Sequence, residues 1–232
     1  MTTIYFVRHG QASFGAASYD QLSETGILQA KVLGQYLAEI LSEPPYVIAG
    51  GMHRHQQTTE FALERSFPHT KIQRSDAWNE FDHQQVFSRY DPRFAKPALL
   101  KAEVEKLSSP RDYLSKIFTQ AIARWTDGEF HHEYDESWPA FKQRVETGLD
   151  DLCQNLAQTQ PRYAVVFSSG GVIAVVVAKI LGLSPEKTFA LNWAIANCSL
   201  TTLRLVGDQL ELVSFNEHHY LKVQHQDLLT WI

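Results

Sequence analysis

The stretch from Tyr163 to Leu181 constrains this chain most. It is almost wholly apolar and approaches the length of a membrane span, yet Ser168-Ser169-Gly170-Gly171 breaks it and Lys179 lies within it. Such a break divides the run into a strand, Ala164-Val165-Val166-Phe167, and a helix, Val172 to Leu181, closed by Gly182. A strand without a polar residue must be covered on both faces, as in a parallel sheet flanked by helices.

The remainder of the chain repeats that unit. Thr3 to Val7 is a second β-rich apolar run, and it stops at Arg8-His9-Gly10. From Ser23, the residues Ile27, Leu28, Leu33, Tyr36, Leu37, Ile40 and Leu41 follow helical spacing until Pro44-Pro45. Tyr46 to Ala49 predicts a further strand, Gly50-Gly51 a turn, and His53 to about Arg65 a helix. Lys71-Ile72-Gln73 is a weaker strand candidate. Ser137-Trp138-Pro139 starts a helix with Phe141, Val145, Leu149, Leu152 and Leu156 on one face, and Pro161 lies beyond its end. Ser199 to Val206 and Gln209 to Phe215 alternate as strands about the turn Gly207-Asp208. The expectation is one α/β domain over 1–232, a three-layer αβα sandwich with a mostly parallel sheet and one antiparallel excursion at the terminal hairpin. Between 84 and 136 the alternation lapses into a polar, aromatic-rich stretch with Pro92, Pro97 and Pro110, with a helical pattern from Tyr113 to Trp125. It reads as a helical insertion capping a site.

Composition narrows the function. At 44% hydrophobic over 232 residues, the chain can bury a core without disulfides or metals. A net charge of -5 and the lack of a dense Lys/Arg tract give no general attraction to nucleic acid, so any anion site is local. Cys153 and Cys198 are far apart, which signals neither a disulfide framework nor a thiolate metal site. With no signal-peptide pattern at Met1-Thr2-Thr3 and no intact membrane span, the expectation is a cytoplasmic protein without membrane partners.

Ligands of such sheets bind at the carboxyl ends of the strands. Two motifs fall there, Arg8-His9-Gly10 and Ser168-Ser169-Gly170-Gly171, so both are expected at one pocket. Arginine beside histidine and glycine supplies a cation for phosphate oxygens, a nitrogen nucleophile and room for close approach of backbone. Taken alone, His9 reads equally well as a polar residue at a loop mouth, Arg54 as a solvent-facing arginine early in a helix, and Glu80 as a solvated loop carboxylate. His53 and His55 are two apart and do not share a helical face, which argues against a metal pair; His131-His132 and His218-His219 read as surface or pocket residues.

Val7-Arg8-His9-Gly10-Gln11 resembles the Arg-His-Gly signature of the histidine phosphatase superfamily, which includes phosphoglycerate mutases and small acid phosphatases. Tyr19-Asp20-Gln21-Leu22-Ser23-Glu24-Thr25-Gly26 with Gln29-Ala30 is similar to that family's entry into its first helix. His53-Arg54-His55-Gln56-Gln57-Thr58 resembles the segment with its second phosphate-binding arginine, here Arg54, and Trp78-Asn79-Glu80 the position of its acid, here Glu80. The resemblance implies a metal-independent, cofactor-free phosphomonoesterase acting on a small phosphate ester. His9 would be phosphorylated, Arg8 and Arg54 would grip the phosphate, and Glu80 would protonate the leaving group. Two guanidinium groups beside His9 would disfavour its protonated form and keep a lone pair available. Glu80 would serve as acid where burial and the phosphate dianion raise its pKa.

One position departs from the family. After the strand Ala164 to Phe167 the family carries a serine or threonine, a histidine and a glycine; here Ser169 stands at the histidine, followed by Gly170. A serine hydroxyl brings no charge and reaches less far, and losing one preorganised donor costs on the order of a hundred- to a thousandfold in rate. Three expectations follow. Ser169 and Gly170 hold the anion with the free amides of the following helix; or one of His53, His55, His218 and His219 substitutes; or the chain is a phosphate-ester-binding or regulatory module with little turnover. The plain alternative for Ser168 and Ser169 is capping of the helix, and a serine-hydrolase elbow is disfavoured because the glycine two residues before the serine is missing. A mutase is a weaker variant of the enzyme reading.

Overall fold

A computed structural model of the protein describes residues 1–13, 20–95, 110–224 and 226–231. Tyr19 of the second motif, and Pro97 with the 96–109 part of the expected insertion, lie outside the described residues. Six strands build one sheet: β1 (Thr2–Arg8), β2 (Tyr46–Ala49), β3 (Ile72–Arg74), β4 (Tyr163–Ser168), β5 (Leu200–Val206) and β6 (Gln209–Glu217), in the order β3-β2-β4-β1-β5-β6. The contacts β1 to β4, β4 to β2 and β2 to β3 are parallel, while β5 runs antiparallel to β1 and forms the terminal hairpin with β6. The mixed α/β sheet flanked by helices is the architecture expected from the alternation.

The described helices are α1 (Glu24–Ile40), α2 (His53–Leu63), α3 (His83–Tyr90), α4 (Pro110–Thr126), α5 (Trp138–Thr159), α6 (Gly170–Leu181), α7 (Pro185–Ala194) and α8 (His219–Gln224). Ser23 caps α1 by accepting from the Gly26 amide at 3.0 Å, and Gly182 ends α6 in the left-handed conformation, φ 65°, which costs glycine nothing. The α7 helix was not expected, because its apolar residues keep no regular stripe. Its start is nonetheless written locally, in Ser184 as N-cap and Pro185 in the first turn.

Two compact units result, residues 1–80 with 145–232, and residues 81–144. In the first, alternate residues of β1 serve opposite faces of the sheet. Val7 joins Val47, Val165 and Phe167 against Leu33 and Leu37 of α1 and Leu63 of α2, all buried. Phe6, on the other face, meets Trp78 edge-on with centroids 5.4 Å apart. Every residue of β4 is buried, as its composition requires. Burying one such aliphatic or aromatic side chain contributes about 1.5–3 kcal/mol, so this sheet is a rigid platform for whatever sits at its strand ends.

The second unit is helical, and its helix Pro110–Thr126 covers the pattern read from Tyr113 to Trp125. It holds α3, α4 and short 3-10 turns about its own aromatic core, with Trp125 stacked on Phe81 at 4.7 Å and meeting Trp138 edge-on at 5.6 Å. Pro92 opens a 3-10 turn and Pro110 opens α4, so neither interrupts a helix. Among the described residues no helix is long and apolar enough to cross a membrane.

Candidate active site

Parallel pairing brings three strand ends together. Arg8 stands opposite Ser168 in the β1 to β4 register, and the His9 amide donates to the Ser168 carbonyl at 2.9 Å. On the other side of β4, the Gly50 amide donates to the Phe167 carbonyl at 3.0 Å. Arg8-His9-Gly10, the Gly50-Gly51 entry to α2, and the Ser168 to Gly171 turn therefore share one edge of the sheet.

His9 is 7% exposed. Its Nδ1 lies 2.7 Å from the Gly10 carbonyl, which can only accept, so the ring proton sits on Nδ1 and Nε2 carries the lone pair. Burial, then the guanidinium groups of Arg54 and Arg8, then His55, hold its pKa well below the ordinary imidazole value, against the opposing pull of the Gly10 carbonyl. The backbone around it is fixed from afar. Asn197 Nδ2 donates to the His9 carbonyl at 3.1 Å, the Cys198 amide to the Arg8 carbonyl at 3.0 Å, and the Gly10 amide to Thr58 Oγ1 at 3.0 Å. Cys198 holds a left-handed φ of 53°, and its buried thiol is pushed up in pKa, which makes it an inert neighbour rather than a nucleophile.

The expected phosphate ligands are present but engaged. Arg54 is 4% exposed, contrary to the solvent-facing reading, because it lies on the buried face of α2 with His55, Thr58, Thr59 and Ala62. Its Nη1 donates to Asp20 Oδ1 at 2.7 Å, while Asp20 Oδ2 accepts from the His53 amide at 2.8 Å. Arg54 Nε is buried without a hydrogen-bond partner among the described residues. Arg8 Nη1 donates to the carbonyls of Ile195 and, at 2.8 Å, Trp231. The half-buried Glu80 accepts from the Gly171 amide at 3.0 Å, so its carboxylate sits at the positive end of α6. It thereby occupies one of the amides expected to hold an external anion. Gly170 is buried against Asn192.

Ser169 is the N-cap residue of α6 by backbone geometry, but its side chain makes no capping bond. The capping expectation fails because its hydroxyl is taken by another group: Ser169 Oγ lies 2.6 Å from Nε2 of His55, with both side chains fully buried. Ser168 Oγ donates instead to the Trp78 carbonyl at 2.7 Å. The His55 ring centroid is 5.7 Å from that of His9. The other histidines considered are occupied differently: His53 is exposed, and His218 places Nδ1 at 2.6 Å from the Asn216 carbonyl while stacking on His219. Among the described residues no cluster of three or more His, Cys, Asp or Glu is placed to hold a metal ion.

Asp20, Thr58 and Asn197 were not singled out from the sequence. Asp20 lies within the Tyr19 to Gly26 segment, but nothing local distinguishes a carboxylate bound to Arg54 from a solvated one. Thr58 and Asn197 act on backbone groups 48 and 188 positions away, for which no sequence signal exists.

A family profile described as the histidine phosphatase superfamily (branch 1) matches residues 4–95 and 103–218. No curated protein sequence matches significantly. Among solved structures, a phosphoglycerate mutase from Bacillus anthracis is 17% identical, with 95% of each chain covered and a TM-score of 0.64. A phosphoserine phosphatase from Entamoeba histolytica in complex with 3-phosphoglyceric acid is 17% identical over 95% of this chain and 100% of that one, TM-score 0.63. A mycobacterial glucosyl-3-phosphoglycerate phosphatase with inorganic phosphate is 18% identical over 95% and 99%, TM-score 0.62. At these identities the likeness is one of fold.

Proposed function

The chain belongs to the histidine phosphatase superfamily (branch 1), and from that premise we propose that it is a metal-independent phosphomonoesterase working through a phosphohistidine on Nε2 of His9. The observation that carries this reading is the state of His9. It is buried at a strand end, pinned through Nδ1, and kept neutral by burial and two arginines, so its outward lone pair is available near neutral pH. Small phosphate esters are the substrate class, in keeping with the phosphorylated ligands named for the solved structures of like fold.

In the first step Nε2 forms a bond to phosphorus, the ester P–O bond breaks, and the leaving oxygen takes a proton from Glu80. In the second, water attacks phosphorus, the P–N bond breaks, and the water proton returns to the Glu80 carboxylate. Arg8 and Arg54 offset the phosphate charge, Arg54 exchanging Asp20 for the incoming dianion; Ser169 and Gly170 supply contacts from the α6 end. The test is hydrolysis of an aryl phosphate by the full chain and by His9→Ala. Turnover that falls to background in the variant, with an acid-labile phosphoenzyme in the unmodified protein, is the expected result. Turnover retained by His9→Ala, or a protein-bound phosphate that survives acid, overturns it.

A second reading is a phosphate-ester-binding or regulatory module with little turnover. The Arg54 to Asp20 pair favours it, because the buried cation is already neutralised within the fold. Vanadate binding without any hydrolysis would select it.

A further inference from the structure

The phosphohistidine scheme leaves His55 without a task, although an imidazole sunk wholly into the interior is costly unless it is used. Its seat is built for it. A Cβ on Gly50 would lie 2.2 Å from His55 Nδ1, so only the bare backbone at the end of β2 admits the ring. The other edge of the ring reaches Ser169 Oγ, and Nδ1 has no hydrogen-bond partner among the described residues.

That asymmetry bears on the proton. A neutral imidazole carries one N–H, and within the protein alone either polarity leaves one buried donor unmet, Nδ1–H or the Ser169 O–H. Gly50 walls off Nδ1, whereas the hydroxyl stands at the strand end beside His9, so the polarity a bound anion can complete has Nε2–H donating to Ser169 Oγ. The hydroxyl, having accepted one bond, keeps its own O–H to donate onward, and among the described residues Oγ meets no other partner. The reverse polarity, with Ser169 donating to Nε2 as in a serine nucleophile, would strand Nδ1–H against Gly50.

Resting on the phosphohistidine reading of the site, we propose that His55 and Ser169 form one relayed donor to the transferring phosphoryl group. His55 Nε2–H donates to Ser169 Oγ, and Ser169 O–H donates to a phosphoryl oxygen opposite His9. Ser169 touches the substrate; His55 is a positioning residue that orients and polarises the hydroxyl. A short serine thus does from β4, with an imidazole behind it from α2, what a single longer side chain would otherwise do. Positive charge comes from Arg54, the residue before His55, rather than from the relay itself.

The experiment uses the full chain, with orthovanadate binding by calorimetry and aryl phosphate kinetics side by side. Ser169→Ala is expected to weaken vanadate about tenfold and to lower kcat about a hundredfold with little change in KM. His55→Ala moves both in the same direction, and the double variant is no worse than Ser169→Ala, since both remove one device. His55→Gln, whose amide can still donate to Ser169, recovers part of the loss, and it carries the comparison should His55→Ala fail to fold. Ser169→His alone lowers activity, because a second imidazole needs the space His55 holds; combined with His55→Ala it restores activity. Vanadate affinity within twofold of the unmodified protein in Ser169→Ala, or single losses that multiply in the double variant, overturns the relay. Turnover retained by His9→Ala sinks the phosphohistidine reading instead, and vanadate affinity reports on the relay even where hydrolysis is absent.

Discussion

The ends of β1 and β4 lie side by side in parallel register and are built on opposite plans. At β1 the proton is placed locally, since His9 takes its tautomer from the carbonyl of the next residue, with an arginine as its preceding neighbour. At β4 the placement is borrowed. Ser169 meets a side chain 114 positions away, and Gly171 gives its amide to Glu80, 91 positions away. A side chain absent from a strand-end motif is therefore to be sought across the sheet, on the element entering from the neighbouring strand, and not further along the chain.

Gly50→Ala attacks the borrowed plan most directly. Its methyl group would meet both the His55 ring and, at 2.8 Å, the Trp78 carbonyl. Urea unfolding should show a loss of about 1–3 kcal/mol, and kcat should fall toward that of His55→Ala. Unchanged stability and turnover would mean that the seat of His55 has no bearing on Ser169.

A pH series sharpens the comparison, since His9 and His55 are both held well below the ordinary imidazole value of 6.5, each chiefly by burial. In the folded state they stay neutral where the unfolded chain already binds protons. Stability is therefore greatest above the unfolded value and is lost as pH falls from about 6.5 through the lowered folded values, by about 1.4 kcal/mol per pH unit for each histidine. Chemical denaturation at stepped pH measures the slope, and His55→Gln should remove its own share. A slope that His55→Gln leaves intact would show that His55 is not held neutral. The acid limb of kcat/KM should likewise fall below 6.5.

The smallest effect belongs to Asp20→Asn. The pair with Arg54 is partly exposed on the aspartate side, 39%, so it is worth only about 1 kcal/mol. Freeing Arg54 should tighten inhibition by inorganic phosphate several-fold, and weaker or unchanged inhibition would show that Asp20 does not compete with the anion.

Much of this architecture can be read in the chain. The β4 to α6 unit follows from an apolar run broken by serines and glycines, and Ser23 marks the start of α1. The α7 helix shows the limit of periodicity: Ser184-Pro185 announces it while its apolar residues form no stripe. The aromatic-rich segment is the mirror case. Its helical pattern from Tyr113 to Trp125 is legible, while the packing of Phe81, Trp125, Trp138 and Phe141 into one core is not. The candidate site divides likewise. Arg8, His9, Arg54, Glu80 and Ser169 were identifiable as residues, but the partners of Arg54, Glu80 and Ser169 were not.

By itself the sequence determined the strand and helix order, and with it the location of Arg8-His9-Gly10 and Ser168 to Gly171 at carboxyl ends of strands. Those features depend on short-range periodicity and on backbone geometry that neighbouring residues dictate. Tertiary structure alone decided that His55 stands behind Ser169, that Asp20 holds Arg54, and that Glu80 takes the Gly171 amide. Each of those pairs joins segments far apart in sequence that the assembled sheet and its helices bring to hydrogen-bond distance, and no local pattern of residues encodes that approach.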